Sequence, residues 1–328
     1  MNIFKVLSNP YYLNNLVKIK LDIFPPKKAD ILIYDYETVR GGYSDIMFKN
    51  EKKEFFFNRF EKINLFIFLK SLIIYKFINP KKNYIFHFFN YVKPKIVYTS
   101  IDNNPAFYLL KNIYPESVYI ADQNGQRNNL FYEHCSNQIK KNDIKYVCDY
   151  CFVFGQFEKK RLKKIISGNI IAAGNTRNNF YIIKKQKQKK IITYISSKIK
   201  RRPELEKKIF KKLIQFCRKF NYKLFFLDSA GQNNKKLLTK MFKSDDWNYI
   251  QFKSNSSKYK FLSQNKLITF AHSTLGYQFL SRGLKCVAFN HNYYNYSNLF
   301  KIKKIGKFWC NPNKYNTFEK KTIRGNSL

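Results

Sequence analysis

Carboxylates are scarce in this sequence: 21 Asp and Glu stand against 62 Lys and Arg, a net charge of +41 over 328 residues. Such a field draws polyanions, whether nucleic acid, anionic lipid headgroups or phosphorylated small molecules. The lysines are spread along the whole chain, together with abundant Asn, Ile, Phe and Tyr. Compositional drift toward these residue types therefore competes with a functional reading of the charge. No RNA- or DNA-binding module pattern is present, so a basic nucleic-acid-binding protein is the lesser reading and no specific nucleic acid is expected.

Apolar runs long enough to cross a bilayer, about 20 residues, are also missing. The most apolar stretch, Ile63–Ile78, is broken by Lys70 and Lys76. It reads as a helix that either faces a core or lays an aromatic, lysine-rich face on a bilayer surface. No apolar signal region follows Met1, so the expectation is a cytoplasmic chain with reduced thiols. Peripheral attachment to the inner face of the cytoplasmic membrane fits the charge. Six Cys are present, and Cys148-x-x-Cys151 has no second Cys or His pair at ligand spacing. It lies in the strand-like run Tyr146–Gly155, where positions three apart face opposite sides, and reads as buried structural thiols.

Several signatures of chemistry are absent. There is no G-x-x-x-x-G-K-[ST] loop, no G-x-G-x-x-G after a strand, no D-x-D pair at a strand end and no G-x-S-x-G elbow. P-loop ATPases, nicotinamide enzymes, metal-dependent single-domain sugar transferases and hydrolases are disfavoured accordingly. No repeat of solenoid period is visible.

What is present is an alternation of short apolar runs with helical stretches, the pattern of α/β layers on a mainly parallel sheet. Strand candidates in the first half are Ile31–Asp35, Ile96–Ser100, Val118–Asp122, Val147–Gly155 and Ile170–Gly174, with helices such as Glu54–Phe77 and Pro105–Ile113 between them. The polar run Lys184–Lys190 reads as a linker. The alternation then restarts with strands Ile191–Ser197, Lys223–Ser229, Tyr249–Phe252, Leu267–Ala271 and Cys286–Asn290. Helices fall at Glu204–Phe220, Asn234–Phe242, Lys258–Gln264 and Thr274–Arg282. The expectation is two Rossmann-like, doubly wound domains facing a cleft: residues 1–183, a linker 184–190, and residues 191–328 ending in a Lys- and Asn-rich tail.

In open α/β sheets ligands bind beyond the carboxyl ends of the strands, so the residues that follow strands matter most. Leu267–Asn290 is the sharpest segment. A buried strand runs into His272, Ser273 and Thr274, and a helix opens there. Its unpaired N–H groups and positive dipole end suit a diphosphate. Either hydroxyl also suits capping of that helix. His272 reads as a phosphate or sugar contact rather than a base. Gly276 permits close approach of a ligand or a neighbouring strand, and Gln278 lies one turn beyond Thr274, within reach of a ribose or base. Ser196 and Ser197 end the first strand of the second half and join this donor-binding set. In the first half, Asn124, Gly125 and Arg127 follow one strand, and Gly174, Asn175 and Arg177 follow another. Both loops place an Arg able to fork onto phosphate or carboxylate behind a tight turn.

These segments resemble the bacterial surface carbohydrate biosynthesis protein family of glycosyltransferases and, more distantly, the capsule and CDP-glycerol-type transferases. The likeness is carried by Gln123-Asn124-Gly125-x-Arg127, Phe152-Val153-Phe154-Gly155, Gly174-Asn175-x-Arg177 with Asn178-Asn179, and His272-Ser273-Thr274-Leu275-Gly276-Tyr277 with Arg282-Gly283. It implies a GT-B fold and a role in O-antigen, capsule or related surface-glycan assembly. It also implies a nucleotide-sugar donor as co-substrate, a glycan or lipid-linked acceptor, and no cofactor or metal. The family usually shows Glu after the Gly-Tyr pair, where this chain has Gln278. An inverting transfer needs a base for the acceptor hydroxyl. Asp35, Glu37, Asp102 and Asp122 all follow strands, with Glu37 the first choice. A nucleotide-sugar epimerase or a polyol-phosphate transferase fits the same fold.

Overall fold

The computed structural model describes residues 19–36, 43–59, 61–75, 79–125, 127, 129–180, 187–196, 203–228, 233–242, 245–271, 273–289 and 309–310. The chain divides into two compact units, Met1–Thr176 and Arg177–Leu328.

The first unit opens with β1 (Lys20–Asp22), which pairs in parallel with β4 (Lys62–Asn64) in a small separate ladder. Its main sheet holds β2 (Ile31–Tyr34), β3 (Lys53–Phe56), β5 (Ile96–Thr99), β6 (Val118–Asp122), β7 (Tyr146–Val153) and β8 (Ile166–Ala172). All pair in parallel, in the order β3-β2-β5-β6-β7-β8. Strands covered on both faces can be apolar throughout, and Ile31, Leu32, Ile33 and Tyr34 are all buried. The chain leaves β2 for β3 on one side and returns to β5 on the other, so the winding reverses between β2 and β5.

The second unit repeats the plan with a different order. It holds β9 (Lys189–Ile195), β10 (Lys223–Leu227), β11 (Trp247–Ile250), β12 (Asn265–Phe270), β13 (Cys286–Phe289) and β14 (Trp309–Cys310). They form one parallel sheet in the order β11-β10-β9-β12-β13-β14, with the reversal between β9 and β12. The helix Pro203–Lys219 buries Glu206, Ile209, Phe210, Leu213, Ile214, Phe216 and Cys217, a stripe at helical spacing. Phe210 meets Phe226 edge to face at 5.0 Å, and each such ring contributes about 1.5–3 kcal/mol on burial.

Two expectations are corrected. The stretch Glu54–Phe77 is not one helix: β3 and β4 occupy its first part, and among the described residues the helix covers Leu65–Tyr75. Phe55 and Phe56 sit well on a pleated surface, and Phe56 stacks on Tyr34 of the neighbouring strand at 5.5 Å. Cys148 and Cys151 do not face opposite sides. The β7–β8 register shifts between Val147 and Tyr150, so two residues oppose one and the alternation changes phase. Both thiols then join the same core cluster. Gly168 lies opposite this bulge at φ +134°, and a Cβ there would stand 1.7 Å from the Cys148 carbonyl oxygen. Burial pushes both thiols up, Cys148 to about 12, as expected of structural cysteines.

Candidate functional site

In the second unit the reversal point is built from the carboxyl ends of β9 and β12. Ser196 follows β9, and its N–H donates to the Leu227 carbonyl at 2.9 Å. The residue is 2% exposed, and its hydroxyl has no hydrogen-bond partner among the described residues. Buried hydroxyls are nearly always paired, which makes one at a switch point a candidate ligand contact. Across from it, β12 runs out through Ala271 to Ser273, whose extended backbone starts the helix Thr274–Leu280. The Ser273 hydroxyl makes no capping hydrogen bond, so the capping expectation fails there; its carbonyl accepts from Gly276 N–H at 3.1 Å.

Further round the same edge, Asp228 follows β10 and is held by its own loop. Asn234 donates to it from its N–H at 2.9 Å and from Nδ2, and the Tyr249 hydroxyl donates at 3.0 Å. The other residues expected to bind a donor face inward. Gly276 packs on β12: a Cβ there would stand 2.1 Å from the Phe270 ring. Of the two reasons given for this glycine, the neighbouring strand is the one realised. Gln278 is buried, and its Oε1 accepts from the Tyr259 hydroxyl. Arg282 lies over the Tyr259 ring at 4.6 Å and donates to Asn178 at 2.8 Å. Arg177 lies near enough to Lys258 to lower its pKa, an effect to which burial of Lys258 adds more. Ser197 and His272 lie outside the described residues.

The first unit carries a denser set of charges along its carboxyl edge. Asp35, after β2, is fully buried in the left-handed region at φ 61°. It accepts from Asn104 Nδ2 at 3.2 Å and from the Arg59 guanidinium at 3.5 Å. Ser100, on the β5 side of the same reversal, is buried with its hydroxyl unpaired among the described residues. Asp102 and Arg127 form a buried bidentate pair. Asn124 closes it, donating its N–H to Asp102 at 3.0 Å and accepting from Arg127 at 2.7 Å. The Arg127 fork thus holds its own loop in place. Gly125 takes part through its carbonyl, which accepts from Gln123 Nε2 at 2.9 Å.

Asp122, the last residue of β6, accepts from the Tyr98 hydroxyl at 3.3 Å and from the Thr176 hydroxyl. The loop after β8 reaches it because the N–H groups of Ala173 and Gly174 both donate to the Val153 carbonyl. Gly174 supplies the positive φ of 82° that turns the chain there, and Asn175 follows in the same loop. Glu37 lies outside the described residues.

One group was not anticipated. Glu158, in the first turn of the helix Gln156–Leu162 after β7, is 6% exposed. It accepts from the Tyr132 hydroxyl, and Arg161 lies over the Tyr132 ring at 3.6 Å. Burial raises its carboxyl to about 7 against the opposing pull of Arg161 and Arg127. A buried acid poised near neutral pH is a candidate proton carrier. Its sequence signal was a lone carboxylate three residues past the Phe152–Gly155 strand end, inside a lysine-rich run that reads as a solvated face.

Residues 204–321, within the second unit, match the model of a family described as "putative O-antigen biosynthesis protein". No curated protein matches the chain. Among solved structures, the S. aureus MnaA–UDP co-structure superposes with a TM-score of 0.59 at 12% identity, covering 93% of this chain and 88% of that one. A UDP-GlcNAc 2-epimerase from Neisseria meningitidis bound to UDP-GlcNAc gives 0.56 at 11% identity, with 88% and 90% covered. The UDP-GlcNAc 2-epimerase from Methanocaldococcus jannaschii gives 0.53 at 14% identity, with 90% and 91% covered. Likeness at this identity speaks for fold: the chain is an α/β protein of two Rossmann-like units, the GT-B type, whose C-terminal unit resembles an O-antigen biosynthesis family.

Proposed function

We propose that the chain is a nucleotide-sugar enzyme of surface-glycan assembly, and that it transfers the sugar of a UDP-type donor to a glycan or lipid-linked acceptor. The observation that carries this reading is the buried Ser196 hydroxyl at the β9–β12 reversal, unpaired among the described residues, in a fold that other proteins use to hold UDP or UDP-GlcNAc. Ser196 and Ser273 donate hydroxyl hydrogen bonds to the diphosphate, and the N–H groups after Ser273 add to them. These donors stabilise the charge that develops on the leaving nucleotide, without a metal being invoked. Acceptor chemistry falls to the first unit. Glu158, raised to about 7, takes the proton from the acceptor hydroxyl. Asp35 and Asp122 are held by neighbouring side chains, Asn104 and Tyr98, and fix the loops that follow β2 and β6.

A second reading, inversion at a carbon of the donor sugar, is favoured by a separate observation. Two of the structures that match along nearly the whole chain are named as UDP-GlcNAc 2-epimerases. One experiment separates the two. The protein is incubated with UDP-GlcNAc and a panel of other sugar nucleotides, with and without a lipid-linked glycan, and the products are resolved by chromatography and mass spectrometry. A heavier acceptor with released nucleotide supports transfer. An isomer of unchanged mass formed without acceptor supports epimerisation. Unchanged substrates, with no nucleotide bound by the folded protein, overturn both.

A further inference from the structure

Seven of the thirteen large apolar side chains exposed among the described residues belong to two short stretches of the first unit. Leu21, Ile23 and Phe24 lie on β1 and just after it, with Phe24 72% exposed. Phe66, Leu69, Ile73 and Ile74 lie on the helix Leu65–Tyr75, with Ile73 79% exposed. The two stretches are neighbours. β1 pairs with β4, which runs without a break into the helix, and Asn64 Nδ2 donates to the Phe24 carbonyl at 2.6 Å.

The helix inverts the usual pattern of a surface helix. Ile67 and Ser71 face inward, and the opposite side shows Phe66, Leu69, Lys70, Ile73 and Ile74 to solvent. An ordinary surface helix would put polar residues there. Cations sit in and around this apolar face. Lys70 is part of it, and the adjoining ladder carries the register partners Lys20 and Lys62, the latter paired with Asp22 at 2.7 Å. Lys28 lies over the Tyr91 ring at 4.6 Å, and that ring meets Phe66 edge to face at 5.6 Å.

We infer that this face docks the protein on an anionic lipid bilayer. An 11-residue helix is about 16 Å long, too short to cross a hydrocarbon core, so it lies flat with its apolar side among the acyl chains. The lysines then stand at headgroup depth, where anionic lipids attract them. A second copy of the chain fits worse. A two-fold contact through this face would bring the same lysine rim against itself, in a protein already at +41. The inference is independent of which reaction the protein performs.

Vesicle co-sedimentation of the full-length protein tests it, with phosphatidylcholine alone and with phosphatidylcholine mixed with phosphatidylglycerol. The expected result is binding at least about tenfold stronger to the anionic vesicles, weakening as salt rises. The double variant L69E/I73E loses that binding by at least about tenfold while its melting curve is unchanged, since both residues are exposed. The control I46E/L130E, which changes exposed apolar residues elsewhere, binds like the unaltered protein. Three results would overturn the inference: no binding to anionic vesicles, equal binding by L69E/I73E and the unaltered protein, or a dimer in solution that only L69E/I73E dissociates.

Discussion

The carboxyl edges of the two sheets differ in how densely they are charged. In the first unit nearly every charged group is answered from within: Asp102 by Arg127, Asp122 by Tyr98 and Thr176, Asp35 by Asn104 and Arg59, Glu158 by Tyr132. In the second unit Asp228 is answered in the same way, by Asn234 and Tyr249, and each reversal carries one buried serine hydroxyl, Ser100 in the first and Ser196 in the second, unpaired among the described residues. A satisfied polar network fixes geometry and tunes acidity, and the first edge carries the denser one. The proposed function gives the chemistry to that edge and the nucleotide to the second.

The sharpest way to break this division is to alter chemistry without binding. Glu158→Gln keeps the hydrogen-bonding shape but cannot accept a proton. The turnover rate is expected to fall about 10²–10⁴-fold with nucleotide affinity unchanged, measured by steady-state kinetics and calorimetry side by side. A parallel loss of affinity would show that the two edges are not separate in role.

The next largest effect concerns stability of the first edge. Arg127→Met leaves Asp102 as an uncompensated buried carboxylate and should cost about 3–5 kcal/mol in urea unfolding. The double variant D102L/R127M removes both charges and should recover most of that loss. If the single change were nearly neutral, the clasp would not be what holds the 122–127 loop.

A smaller effect is expected with pH. Glu158 has its carboxyl raised to about 7 from 4.5, so the folded state holds a proton that the unfolded chain releases. Its contribution is fully present below pH 4.5 and fades as pH rises through 7, amounting to about 3 kcal/mol at most. The stability difference between the unaltered protein and Glu158→Gln, followed across that window, should show this slope. A flat difference would mean that Glu158 is ionised throughout.

Much of the fold was legible because parallel strands are continuous apolar runs that stop at polar residues. Val118–Asp122 matches β6 end to end, and the amphipathic stripe of Glu204–Phe220 lies over the helix Pro203–Lys219. Where the period was ambiguous the reading failed: the aromatic run from Glu54 looked helical because short apolar runs fit either period. The β7 bulge was invisible because it depends on Gly168 in the next strand. For the candidate site, strand ends pointed to Asp35, Asp102, Asp122, Ser196 and Ser273, which do lie at or just beyond the carboxyl ends of their strands. They did not reveal that Asp102 would pair with Arg127, 25 residues away, or that Gln278 would turn toward Tyr259. Glu158 stood in the sequence only as a lone carboxylate past a strand end, and its raised pKa comes from burial, which local sequence does not show.

The central claim is that the second unit's reversal point receives the nucleotide, and Ser196→Ala tests it most directly. Alanine removes only the hydroxyl and adds no bulk to this buried position, so the fold should remain intact by melting curve and circular dichroism. Calorimetric titration with UDP is expected to show binding by the unaltered protein and at least about a tenfold loss in the variant, a hydrogen bond to a charged group being worth roughly 1.5–3 kcal/mol. Equal affinity in the two proteins would contradict the claim and place the nucleotide elsewhere.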